Sequence, residues 1–143
     1  MSIAYAYQPR QQAVFIRITG QMPTRVVIAA MRAIESDPAI PPAPRVLVDL
    51  TGSLLARSQE EADRIVGAYT ELGKLRGGRG ALAAGREVVY GVTRMISMIA
   101  DYAGFDVQAF RSLTAACAWL GLEGPPDEDF WSHRAVQIAP DTP

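Results

Sequence analysis

Apolar residues along this chain recur at two spacings, and the spacing switches from segment to segment. Near the start, "IAYAY" (Ile3–Tyr7) and "AVFIRIT" (Ala13–Thr19) are short aromatic and β-branched runs separated by the polar "QPRQQ". That pattern predicts two strands joined by a turn, with Pro9 setting part of the turn backbone. From Pro23 to Ser36, Val26, Val27, Ala30, Met31 and Ile34 follow the three-and-four spacing of a helix. Asp37-Pro38 ends it, because the residue before a proline is pushed out of the helical region. The stiff connector "PAIPPAP" leads to "RVLVDL", a continuous apolar run that fits a strand buried on both faces.

The second half of the chain repeats the alternation. Ser58-Gln59-Glu60-Glu61 has the capping-box pattern, a serine with a glutamate three residues on. Ala62, Ile65, Val66, Tyr69 and Leu72 then form one side of a helix, which "RGGRG" breaks near Gly77. "ALAA" predicts the next strand, Arg86–Tyr102 an unusually apolar helix closed by Gly104, "FDVQAF" a strand, and "SLTAACAWLGL" the last helix. The predicted order is β-β-α-β-α-β-α-β-α. A hairpin followed by alternating strands and helices implies an α/β domain with a mixed, mostly parallel sheet covered by helices. The domain is read as residues 1–122. Residues 123–143, rich in proline and acid, are read as a tail with a short helix around "DEDFWSH".

The helix Arg86–Tyr102 carries too many apolar residues for one stripe, Val88, Met95, Met98 and Ile99 among them. A helix apolar on nearly every side is either fully buried or covered by something other than its own sheet. In the second case Tyr90, Met95, Met98 and Ile99 are the candidate surface, for a small apolar ligand or for a second copy of the chain. Methionine suits such a surface because its thioether adapts to varied partners.

Composition narrows the function classes. A chain of 143 residues with 49% apolar residues can build one real core. Its formal net charge of −1 and scattered arginines argue against a nucleic-acid binder, which usually carries a basic face. No window approaches the roughly 20 apolar residues of a membrane-spanning helix. The single cysteine, Cys117, leaves no intramolecular disulfide to form, and with no apolar leader at the N-terminus the expected compartment is the cytoplasm.

Candidate chemistry is sparse. Gly77, Gly78 and Gly80 lack the Lys-Ser/Thr of a phosphate loop and follow a helix instead of a strand, so they read as a helix stop. One cysteine and one histidine, His133, do not make a metal site, and no nucleophile has a base placed beside it by the sequence. No cofactor, metal or catalytic residue is expected. Ser58 has two readings, the cap of a helix or a phosphorylation switch, since a helix N-terminus welcomes an anion. Asp49 likewise either ties down the turn at Thr51-Gly52 or lines a cleft at the carboxyl ends of the strands.

Three stretches carry a family resemblance. "RVLVDLTG" resembles the central strand and following loop of STAS domains, named for sulfate transporters and anti-sigma-factor antagonists. "VVYGVTRMISMIA" and "VQAFRSLTAACAWL" resemble the third helix and the closing strand and helix of the SpoIIAA-like branch, also described as STAS/CRAL-TRIO-like. In the anti-sigma-factor antagonists, a serine nine residues after the strand aspartate is phosphorylated by a partner kinase. Counting nine from Asp49 reaches Ser58. Regulatory members usually read Asp-Ser-Ser-Gly there, whereas this chain reads Arg57-Ser58-Gln59-Glu60.

The resemblance implies a non-enzymatic cytoplasmic regulatory module that binds another protein, with Ser58, Asp49, Arg57 and Thr51 as the phosphorylation and partner surface. The alternative it implies is a carrier of a small apolar, lipid-like ligand, as in CRAL-TRIO-type domains.

Overall fold

The computed structural model describes residues 1–54 and 57–139. Strands β1 (Ser2–Gln8) and β2 (Ala13–Gly20) form the expected hairpin, paired antiparallel from Ser2↔Thr19 to Gln8↔Ala13. Helix α1 (Thr24–Ser36) follows and stops at Asp37, whose side chain accepts a hydrogen bond from the backbone N–H of Ala39. Strand β3 (Arg45–Ser53) lies parallel to β2, and β4 (Gly80–Ala83) and β5 (Val107–Phe110) continue the parallel part. The crossovers are α2 (Gln59–Thr70) with the single turn α3 (Gly73–Arg76), then α4 (Glu87–Tyr102). Helix α5 (Leu113–Leu120) ends at Gly121 in the left-handed conformation, φ 74°, where a side chain would be strained.

Residues 123–139 depart from the tail the sequence predicts. The helix around "DEDFWSH" is present as α6 (Glu128–Arg134), capped by the Asp127 carboxylate on the Phe130 N–H at 2.8 Å. Beyond it, β6 (Val136–Ile138) pairs antiparallel with β1, so that the sheet has six strands in the order β5-β4-β3-β2-β1-β6. The physical reason is Trp131. Buried to 5% exposure and lying under the Arg17 guanidinium at 4.5 Å, it anchors a segment whose prolines and acids read as solvent-loving.

The two faces of the sheet have different side chains and hence different packing. One face presents Ala4, Ala6, Ala13, Ala81 and Ala83, small enough for α5 to approach with Ala116, Cys117 and Leu120. The other presents the bulkier Ile16, Ile18, Val46 and Val48, and is covered by α1, α2 and α4. Alternation of side chains along each strand sorts the residues between these layers. At the edge of β3, Gly78 sits so close to Pro44 that a Cβ there would lie 1.9 Å from the proline carbonyl oxygen. The glycine cluster is thus a close approach of backbones as well as a helix stop. Among the described residues, no helix is long and apolar enough to cross a membrane.

Candidate functional site

Between the bulkier face of the sheet and helices α1, α2 and α4 lies a cavity of about 130 Å³. Its floor is Ile16 and Ile18 of β2, Val48 and Leu50 of β3, and Leu82 of β4. Its roof is Ala30 and Met31 of α1, Ile65 and Val66 of α2, and Val89, Val92 and Ile96 of α4. Branched and small side chains make up most of this lining, with Met31 and Tyr69 beside them, and together they leave the middle unfilled. A dry apolar cavity of about 150 Å³ holds benzene, so the space is of ligand size.

The cavity has one polar end. Ser53, Arg57 and Thr93 all line it near the carboxyl ends of β3 and β4. A bulge delivers Ser53. Arg17 pairs with Asp49 and Thr19 with Gly52, so β3 carries one residue more than β2 over this span. The extra residue reverses the alternation beyond Leu50 and turns Ser53 onto the cavity face. Thr93 is fully buried within α4, its hydroxyl donating to the Tyr90 carbonyl at 2.7 Å.

Arg57 enters from the start of α2. Its Nη1 donates to Thr24 Oγ1 and its Nη2 to the Met22 carbonyl oxygen, both at 2.7 Å. Its side chain is 7% exposed, and burial pushes its pKa down, partly opposed by the nearby Glu61 carboxylate. Ser58 closes the capping box one residue on. Its hydroxyl accepts from the Glu61 N–H, and its own N–H donates to Glu61 Oε1, both at 3.1 Å. Glu61 also accepts from the Thr24 hydroxyl at 2.7 Å, the first cause of its carboxyl lying below the usual range. One hydrogen-bonded chain therefore ties the first turns of α1 and α2 together beside the cavity.

The predicted site residues divide. Ser58 and Arg57 belong to this corner, Ser58 exposed and Arg57 turned inward. Asp49 does not join them. It alternates with the cavity-facing Val48 and shares the opposite face with Leu47. There its Oδ1 accepts from the Thr51 N–H at 2.9 Å and the Thr51 hydroxyl at 2.6 Å, which is the turn-holding arrangement.

Tyr90, Met95, Met98 and Ile99 do not line the cavity. They lie on the other sides of α4, with Met98 66% exposed and Tyr90 under the Arg111 guanidinium at 4.0 Å. Cys117 is buried against the alanine face, where desolvation pushes its thiol up, while His133 is exposed on α6. Sequence reasoning missed Ser53, Thr93 and the inward course of Arg57. Thr93 alone left a signal, a hydroxyl four residues after Val89 on a strongly apolar helix. The chain matches no protein-family model, no curated protein and no solved structure.

Proposed function

We propose that this protein is a non-enzymatic binding module for a small apolar ligand, held in the cavity between the sheet and helices α1, α2 and α4. The observation that carries the reading is the cavity itself, apolar over nearly all its lining and polar at one end. Ligand sites are commonly concave and apolar with a few convergent polar groups, and open α/β sheets bind at the carboxyl ends of their strands. The CRAL-TRIO side of the STAS resemblance points the same way.

Burying a body of six carbons at about 0.8 kcal/mol each gives about 5 kcal/mol, or a Kd of a few tenths of a millimolar. Titration of benzene or hexane-sized hydrocarbons into the protein, followed by methyl chemical shifts, should saturate in that range. Val92→Phe, which fills the cavity, should abolish the response while leaving the melting temperature equal or higher. Hydrocarbon binding that persists unchanged in a folded Val92→Phe protein would place the ligand elsewhere and remove the reading.

The regulatory reading, a partner protein controlled through Ser58 in the cytoplasm, draws support from the exposure of Ser58 at a helix N-terminus. Against it stands Glu61 Oε1, 3.3 Å from the Ser58 hydroxyl, where a phosphate would meet a carboxylate. Arg57, the cation a phosphate would need, is turned inward to the cavity while Ser58 lies exposed.

A further inference from the structure

The polar end of the cavity is built around a cation with more donors than partners. A guanidinium offers five N–H donors. Among the described residues, the hydrogen bonds of Arg57 are those to Thr24 Oγ1 and the Met22 carbonyl, both neutral acceptors. The carboxylate beside it, Glu61, stands at 3.9 Å, beyond hydrogen-bond range, and its two oxygens already accept from Thr24 and Ser58. Glu61 is also 35% exposed, so water screens its charge, whereas Arg57 is 7% exposed. A charge so enclosed is costly unless an opposite charge meets it closely. Ser53, 2% exposed and lining the same end, has a hydroxyl that makes no hydrogen bond among the described residues.

We propose that the ligand is a small carboxylic acid bound as its carboxylate, with the apolar body in the cavity and the carboxylate on Arg57 and Ser53. This rests on the reading of the cavity as a ligand site. The opposed chemistries of the two ends select the class. A hydrocarbon leaves the guanidinium with only the partly exposed Glu61 carboxylate at 3.9 Å as counter-ion, an amine repels it, and a sugar or nucleotide has no apolar body to place against Val48, Ile65 and Val92. A carboxylate offers a fork of two oxygens that matches guanidinium geometry and accepts a hydroxyl hydrogen bond as well. The volume limits the body to about the size of a six-membered ring or a short alkyl chain. An aliphatic and an aromatic acid share this chemistry.

The test compares head groups on one body in the full chain at neutral pH. Hexanoate and phenylacetate are each titrated against their amides, hexanamide and phenylacetamide, with benzene as the reference for the cavity. One acid at least should bind about tenfold or more tightly than its amide, as a hydrogen bond to a charged group warrants. Which acid does so tells the aliphatic source from the aromatic one. Arg57→Gln should bring that acid to the level of its amide and leave the amide's affinity unchanged.

Should Arg57→Gln fail to fold, the wild-type protein still decides. The Arg57 Nε–H resonance should shift with the acid and stay in place with the amide. Equal affinities for acids and amides overturn the head-group assignment and leave the apolar-ligand reading standing. No binding of acids, amides or benzene overturns both. An acid preference that survives in a folded Arg57→Gln protein, or an unmoved Arg57 resonance, moves the carboxylate away from this corner and defeats the proposal.

Discussion

Ser58 shows how much one hydroxyl can do at a helix start: it accepts the Glu61 N–H, and the glutamate returns the favour to the Ser58 N–H. Losing that cap should cost about 1 kcal/mol in Ser58→Ala, while Ser58→Asp, which caps as well, should unfold at nearly the wild-type urea concentration. Two tyrosines make a second prediction. Tyr5, through burial and its hydrogen bond to Asp37, and Tyr69, through burial and the nearby Asp106, both have pKa values pushed up to about 12 from 10. A raised pKa means that the neutral phenol is favoured by the fold. The stability it contributes is fully present below pH 10 and is lost as the pH rises toward 12. Tyrosinate absorbance should therefore develop in two stages, the later one coinciding with unfolding. The cap was legible in the sequence because all its atoms lie within four residues. The course of Arg57 was not, since Thr24 and Met22 are 33 and 35 residues away and only the fold brings them near.

At the scale of elements, α4 explains why periodicity reads a helix but not its environment. Its apolar residues on every side were plain, yet Val89, Val92 and Ile96 face the cavity while Met98 and Tyr102 lie exposed at 66% and 97%. Glu87, Arg94 and Asp101 share the exposed side with Met98, so the charged positions, more than the count of apolar ones, mark which side faces out. Strand β6 was hidden for another reason, whereas the short helix α6 was read from "DEDFWSH". Prolines and acids dominate residues 123–143, and three residues of strand are too few to alternate visibly. Their weight in the fold rests on Trp131, so Trp131→Ala should cost about 3–5 kcal/mol, as large core truncations do. A single urea transition should move as a whole. A second, earlier transition confined to the β6 signals, with the main one unmoved, would make this segment an appendage.

On the scale of the molecule, the sheet separates two kinds of packing. The alanine face closes tightly on α5, and the bulkier face holds its helices apart over the cavity. The α/β alternation of strands and helices was visible from the sequence, since each crossover needs its own amphipathic helix. The cavity was not, because it is a shortfall of volume among residues that each look like ordinary core. The claim that this shortfall is a binding site is tested most directly by contacts between ligand protons and protein methyls. With hexanoate bound to uniformly labelled protein, nuclear Overhauser effects should connect its alkyl protons to Val48, Ile65 and Val92. Contacts confined to Met95 and Met98 on the outer side of α4, or none at all, would contradict the account.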